Sequence, residues 1–438
     1  MGRYFCQQRR AHLSITQVAK KNFMTSTLFR LAMLCCMFMS NITFPQHVFP
    51  QQSTLLIDGG QTLKRNPAAA YNPLSSTFLV LWQGFTPTTI EEYIYARRIA
   101  RNGTMGPKEH LFFKGPVSQS LPIVAYNPKT KNNLVLWSVL PLLNHPKDGL
   151  YSAILNQFGD LISTKQWLGA IGSGDRAIAY QFKTNQFLQL GDAQFILLDS
   201  TGRIRTTSPY PAYLSKSPNQ FILVGLADTD YYLVGQADPF TTGRSSSTFT
   251  FQRIASDGFA RSESIRYFLF DKPSTSSDSL LAAMYDDEKN QILILFSRIH
   301  SPYQTATLYS ARIDTTGNPV SRPTILAVDI VPTVTVGLCH TPVGFLVAFE
   351  RDARLWVREL GPGGQPVSAE ISLTNEPYDF ISGLSIASTT ARDLFLVYWF
   401  GNTVNQPYNI YGQLLRYRGA TSSSSRENVS LLDRTHHP

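Results

Sequence analysis

Seven segments of this chain close in the same way, and that recurrence constrains the fold more than any other feature. Ile99 to Gly103, Leu155 to Gly159, Leu198 to Gly202, Ile254 to Gly258, Ile313 to Gly317, Leu360 to Gly364 and Leu415 to Gly419 each place Ile or Leu four residues before a glycine. Gly103 and Gly419 lie 316 residues and six steps apart, a mean period near 53. Four residues before the Ile or Leu, five of the seven copies carry an aromatic ring: Tyr95, Tyr151, Tyr309, Trp356 and Tyr411. An apolar strand running into a glycine turn is one arm of a hairpin. The glycine is needed where the chain takes positive φ, which a Cβ disfavours.

A second signature precedes the first. Ala70-Tyr71-Asn72 leads to Phe78–Trp82, Ala125-Tyr126-Asn127 to Leu134–Trp137, Ala179-Tyr180-Gln181 to Phe187–Leu190, and Met284-Tyr285-Asp286 to Ile292–Phe296. Tyr71 and Trp82, Tyr126 and Trp137, and Tyr285 and Phe296 are each 11 residues apart. Apolar runs this short, bounded by turn residues, are strands buried on both faces. Each copy thus supplies a strand of small residues, a bulky strand, an aromatic strand and a weaker fourth. Four antiparallel strands per repeat make a propeller blade, so the expected fold is all-β, a seven-bladed β-propeller. The small first strands suit a narrow axis, and Trp82 and Trp137 are expected between blades.

The repeat resembles those of secreted propellers whose blades read roughly VAYN, then LVLW, then YxxxL and a glycine turn. The resemblance covers about residues 53–418. It implies fold far more than function, because propellers host unrelated activities.

Outside the repeats, Leu31–Met39 (LAMLCCMFM) is an apolar run too short to span a bilayer, with Arg30 before it and polar residues after. It has the shape of a signal-peptide core, and Met24 stands as an alternative start. Residues 1–43 are therefore expected to be a signal peptide, with a retained signal-anchor or a buried helix as the rival readings. Residues 44–52 read as a linker, 53–418 as the propeller, and 419–438 as a Ser-rich tail. The fourth strand of the last blade is expected from Ser53–Asp58, with Asn428–Asp433 as the competing closer. The expected location is extracellular, or membrane-anchored if the signal is retained.

Charge argues against a nucleic-acid partner. Of the net +9, residues 1–43 carry +6, leaving +3 for the rest, and a basic face is absent from the sequence. No cofactor, metal or catalytic motif stands out. Cys339-His340 reads as a buried thiol beside a turn histidine, and Asp286-Asp287-Glu288 as turn chemistry. Asp199 to Gly202 and Asp314 to Gly317 also read as turns. Asn41, Asn102 and Asn428 fit the glycosylation sequon.

In a blade, the one-to-two and three-to-four loops share one face, and the two-to-three loops lie on the other. The latter are long in five copies and carry Phe85, His145, Phe240, Tyr303 and Tyr408, the expected ligand-binding residues for a protein or carbohydrate partner. The leading expectation is a binding or scaffold propeller. The alternative is a glycan hydrolase or lyase with carboxylates converging on the axis.

Overall fold

The computed structural model describes residues 47–418 except 52–53, 61–62, 86–91, 112–116, 142–147, 170–176, 191–193, 211–220, 228, 238–247, 262–264, 269–277, 301–304, 332–334 and 404–407. The signal-like segment, Asn428–Asp433 and the rest of the tail therefore lie outside the described residues. Those described form 29 strands and no helix. Strands β1 (Val48–Pro50) and β2 (Leu55–Asp58) precede the repeats. Blade 1 is β3 (Leu63–Asn72), β4 (Thr77–Phe85), β5 (Glu92–Ala100) and β6 (Glu109–Leu111). Blade 2 is β7 (Val117–Asn127), β8 (Asn132–Pro141), β9 (Gly149–Leu155) and β10 (Gln166–Gly169). Blade 3 is β11 (Ala177–Gln181), β12 (Gln186–Leu190), β13 (Gln194–Leu198) and β14 (Ile204–Pro209). Blade 4 is β15 (Phe221–Gly225), β16 (Tyr231–Ala237), β17 (Thr248–Ala255) and β18 (Ile265–Phe268). Blade 5 is β19 (Asp278–Asp286), β20 (Gln291–His300), β21 (Thr305–Asp314) and β22 (Thr324–Ile330). Blade 6 is β23 (Gly337–Thr341), β24 (Gly344–Arg351), β25 (Arg354–Leu360) and β26 (Ile371–Ser372). Blade 7 is β27 (Phe380–Ser388), β28 (Leu394–Asn402) and β29 (Asn409–Tyr417).

Within each blade, neighbouring strands pair antiparallel in chain order. The first strands touch in succession, β3 to β7, β11, β15, β19, β23 and β27, and β27 returns to β3. That cycle closes the sheets into a ring, the seven-bladed β-propeller.

The Tyr-Asn signature is the cap of the one-to-two turn. Asn127 Oδ1 accepts the amides of Lys129 and Thr130 at 2.9 and 3.1 Å, Asn72 Oδ1 that of Leu74 at 3.0 Å, and Gln181 Oε1 that of Lys183 at 2.6 Å. The same side chains also join blades. Asn72 Nδ2 donates to the Lys131 carbonyl, Asn127 Nδ2 to Asn185, and Gln181 Nε2 to the Leu226 carbonyl, each in the next blade.

The hairpin glycines serve a turn and an interface at once. Gly364 takes φ +86°, and a Cβ there would stand 2.6 Å from Leu293 Cδ1 of blade 5. Its carbonyl accepts the Ser310 hydroxyl of that same blade at 2.7 Å. Ser152 reaches Gly202 in the same way, from blade 2 to blade 3.

The two sequence signatures meet as register partners. Trp82 pairs with Tyr95, Trp137 with Tyr151, Phe296 with Tyr309, and Trp399 with Tyr411. In all four pairs the rings stack, with centroids 5.3–6.0 Å apart. The three tryptophans are fully buried. Each sits against the preceding blade: Trp82 among Leu394, Leu396 and Leu414, Trp137 among Leu79, Leu81 and Ile94, and Trp399 among Leu346, Ala348 and Leu355.

The N-terminal strands close the ring. Leu55 and Leu56 of β2 pair with Gly412 and Tyr411, and Val48–Pro50 of β1, within the stretch read as linker, pair with Tyr417–Leu415. Both neighbouring blades hold this strap. Glu359 of blade 6 accepts the amides of His47 and Val48 at 2.7 and 2.6 Å. Asp58 accepts Trp82 Nε1 at 3.0 Å and Lys108 Nζ at 2.8 Å, both of blade 1.

Candidate functional site: the axial mouth

One register position recurs around the axis, at the end of each first strand. It is occupied by Tyr71, Tyr126, Tyr180, Gly225, Tyr285, His340 and Ser388, opposite Phe78, Asn133, Phe187, Tyr232, Ile292, Phe345 and Phe395. The repeated Tyr of the sequence signature is thus a girdle at the mouth, on the short-turn face. Where five consecutive blades (5, 6, 7, 1 and 2) meet, the mouth opens into a cavity of ≈ 360 Å³. Small residues (Ala69, Ala70, Ala387) line it together with Tyr71, Tyr126, Met284, His340, Ser388, Thr389, Thr390 and Arg392.

The turn of blade 7 presents Arg392. The Arg392 amide donates to the Thr389 carbonyl at 2.9 Å, and the Thr389 hydroxyl to Asp393 Oδ1 at 2.6 Å. Asp393 in turn pairs with Arg101 of blade 1. Burial opposes the charge on Arg101, but hydrogen bonding to Tyr71 and the Asp393 charge outweigh it and raise its pKa. The Arg392 guanidinium reaches Asp287 of blade 5 at 3.7 Å, a loose contact with more than half of Asp287 exposed.

His340 lies between them in sequence around the ring. Its Nε2 is 2.7 Å from the Tyr285 carbonyl. A carbonyl only accepts, so Nε2 carries the hydrogen and Nδ1 keeps its lone pair. Burial lowers the imidazole pKa, the Tyr285 carbonyl opposes that, and the Arg392 charge lowers it further. The ring is neutral at pH 7. The cavity walls therefore offer a guanidinium, a neutral imidazole, aromatic faces and hydroxyls. Among the described residues, none lining the cavity is a carboxylate, and Asp287 stands at the rim.

Of the loop aromatics expected to bind ligand, Phe85 ends strand β4 opposite Glu92 and is half-buried. Tyr408 packs onto its own blade, 5.7 Å from Phe380 and 6.2 Å from Phe400. His145, Phe240 and Tyr303 lie outside the described residues, as do Asn41 and Asn428, while Asn102 is exposed on its hairpin. On that opposite side, Glu92 is held by Arg65 and Ser118, and Asp278 by both Nε and Nη2 of Arg298 at 2.8 and 2.9 Å.

The other candidates resolve into structure. Asp286 is buried against Arg312 at 2.7 Å. Asp199 and Asp314 cap their hairpins. Burial works against ionisation of both, but the hydroxyls of Thr201 and Thr316 and the turn amides outweigh it and hold the carboxyls below their ordinary range. Cys339 is buried, and burial pushes its thiol pKa up, so it is inert. His340, its neighbour in sequence, points the other way, as alternation along a strand requires. Sequence reasoning treated His340 as a turn residue and passed over Arg392. The available signal was the register: Cys-His-Thr stands in blade 6 where other blades have Ala-Tyr-Asn.

The fold defines the class, a seven-bladed β-propeller. No family model matches the chain, and no curated protein matches it. Among solved structures it is similar to a protein of unknown function from Dyadobacter fermentans DSM 18053, with a TM-score of 0.52 and 11% identity over 85% of this chain and 100% of that one. Weaker likenesses are the NanB sialidase from Streptococcus pneumoniae (TM-score 0.43, 10% identity, 83% of this chain and 70% of that one) and the α-L-arabinofuranosidase Arb93a from Fusarium graminearum (TM-score 0.42, 10% identity, 84% and 98%). At these identities the likeness concerns the fold.

Proposed function

We propose that this is an extracellular propeller that binds a glycan at its axial mouth without hydrolysing it. The observation that carries the reading is the composition of the mouth. Tyr126, half-buried at the wall, offers an aromatic face for sugar C–H groups, and Ser388 and Thr390 offer hydroxyls. Glycoside hydrolysis ordinarily needs two carboxylates flanking the scissile bond, and the described lining residues supply none. The signal-like run at Leu31–Met39 and the exposed sequon at Asn102 support an extracellular location.

The test is a glycan array probed with protein secreted from a Met24 start. Binding should fall at least tenfold in Tyr126→Ala with the melting temperature unchanged. The bound glycan should be recovered intact by mass spectrometry. Cleaved product, or binding indifferent to Tyr126, would reject the mouth as a non-hydrolytic glycan site.

A further inference from the structure

Resting on the glycan reading, we propose that the ligand is acidic: a saccharide whose carboxylate is held by Arg392, with the Tyr126 and Ser388 hydroxyls donating to the same group. Arg392 is the cation among the described residues lining the cavity, and a guanidinium matches a carboxylate with two parallel N–H donors. Its protein partner is poor. The Asp287 contact is 3.7 Å long, with side-chain exposures of 34% and 55%, and an ion pair this open contributes little to stability. The guanidinium is thus available to a second carboxylate, while Thr389, Asp393 and Arg101 hold the turn that presents it. The described residues of the cavity wall add O–H donors and no competing carboxylate. His340 is kept uncharged by burial and by Arg392, so its Nδ1 is an acceptor suited to a sugar hydroxyl beside the acid group. A cavity of ≈ 360 Å³ falls at the small end of the about 300–1,000 Å³ typical of ligand pockets, which suits the end of a chain rather than its middle.

The experiment compares three probes by isothermal titration: a trigalacturonate, its methyl ester, and the neutral trigalactose. The acid should bind at least tenfold tighter than the other two. Arg392→Gln should abolish that preference, so that acid, ester and neutral sugar bind alike in the variant. Arg392→Lys, which keeps the charge and loses the fork, should restore only part of it. Asp287→Asn releases the guanidinium from its rim partner and should raise acid affinity about two- to fivefold. Acid, ester and neutral sugar binding alike would overturn the acidic ligand and leave the glycan reading standing. No binding by any probe, in a protein that also takes nothing from the array, would overturn both. An acid preference that survives Arg392→Gln, or acid affinity unchanged or lowered in Asp287→Asn, would remove Arg392 from the site.

Discussion

At the residue scale, the hairpin glycines separate two costs that are usually confounded. Gly364 combines positive φ with a Cβ position 2.6 Å from Leu293, whereas Gly60, at φ +108°, has nothing within 4 Å. Gly364→Ala is expected to destabilise by about 2–4 kcal/mol and Gly60→Ala by only the backbone share, about 1–2 kcal/mol. Equal losses in urea unfolding would show that contact with the preceding blade adds nothing at Gly364. Glu350 offers a second handle. Burial pushes its carboxyl from 4.5 up to about 7. A group whose pKa rises on folding favours the folded state fully below its unfolded value. That contribution is lost as pH climbs through the folded value, here between 4.5 and about 7. Glu350→Gln should therefore match the parent at pH 4 and exceed it at pH 8 by about 1–2 kcal/mol, once partial solvent screening is allowed for. A difference in unfolding free energy that stays constant with pH would contradict the burial argument.

At the element scale, the unit of stability is the cross-strand stack of the second and third strands, lodged against the preceding blade. Trp137→Ala and Trp399→Ala each remove a fully buried indole and are expected to cost about 3–5 kcal/mol. Trp82→Phe keeps the stack on Tyr95 but loses the bond to Asp58, for about 1–2 kcal/mol. In the parent, the fluorescence of these indoles should resist iodide; free quenching of Trp137 or Trp399 would mean that the blade register is wrong. The stacks were largely legible in the chain, because Trp82 and Tyr95 recur at fixed places in a local period. Their orientation was not legible. A strand buried on both faces has no polar side to show which neighbour each ring will face.

For the whole molecule, ring closure depends on a short strap paired with the last strand. Val48 and Ile57 are both fully buried, worth together about 3–6 kcal/mol. The strap also fills the amide-accepting site at Glu359 and the ion pair at Asp58. Deleting residues 47–58 should lower the melting temperature far more than deleting 419–438. The opposite order would assign closure to the C-terminal segment. Pairing the two ends of the chain in one blade means the ring cannot fray from either end alone.

Taken alone, the sequence determined the blade count, the recurrence of the Tyr-Asn signature, the glycine hairpins and the aromatic positions, and it nominated an N-terminal strand for closure. Each of these is a local solution repeated every fifty residues or so, and local backbone chemistry leaves a periodic trace. The mouth was decided only by the tertiary structure. His340, Arg392 and Asp287 belong to three different blades and no shared motif, and they meet because the ring brings equivalent turns together around one axis. The Glu359 hold on His47 spans 312 residues of sequence. Such contacts follow from closure of the ring, which no window of neighbouring residues encodes.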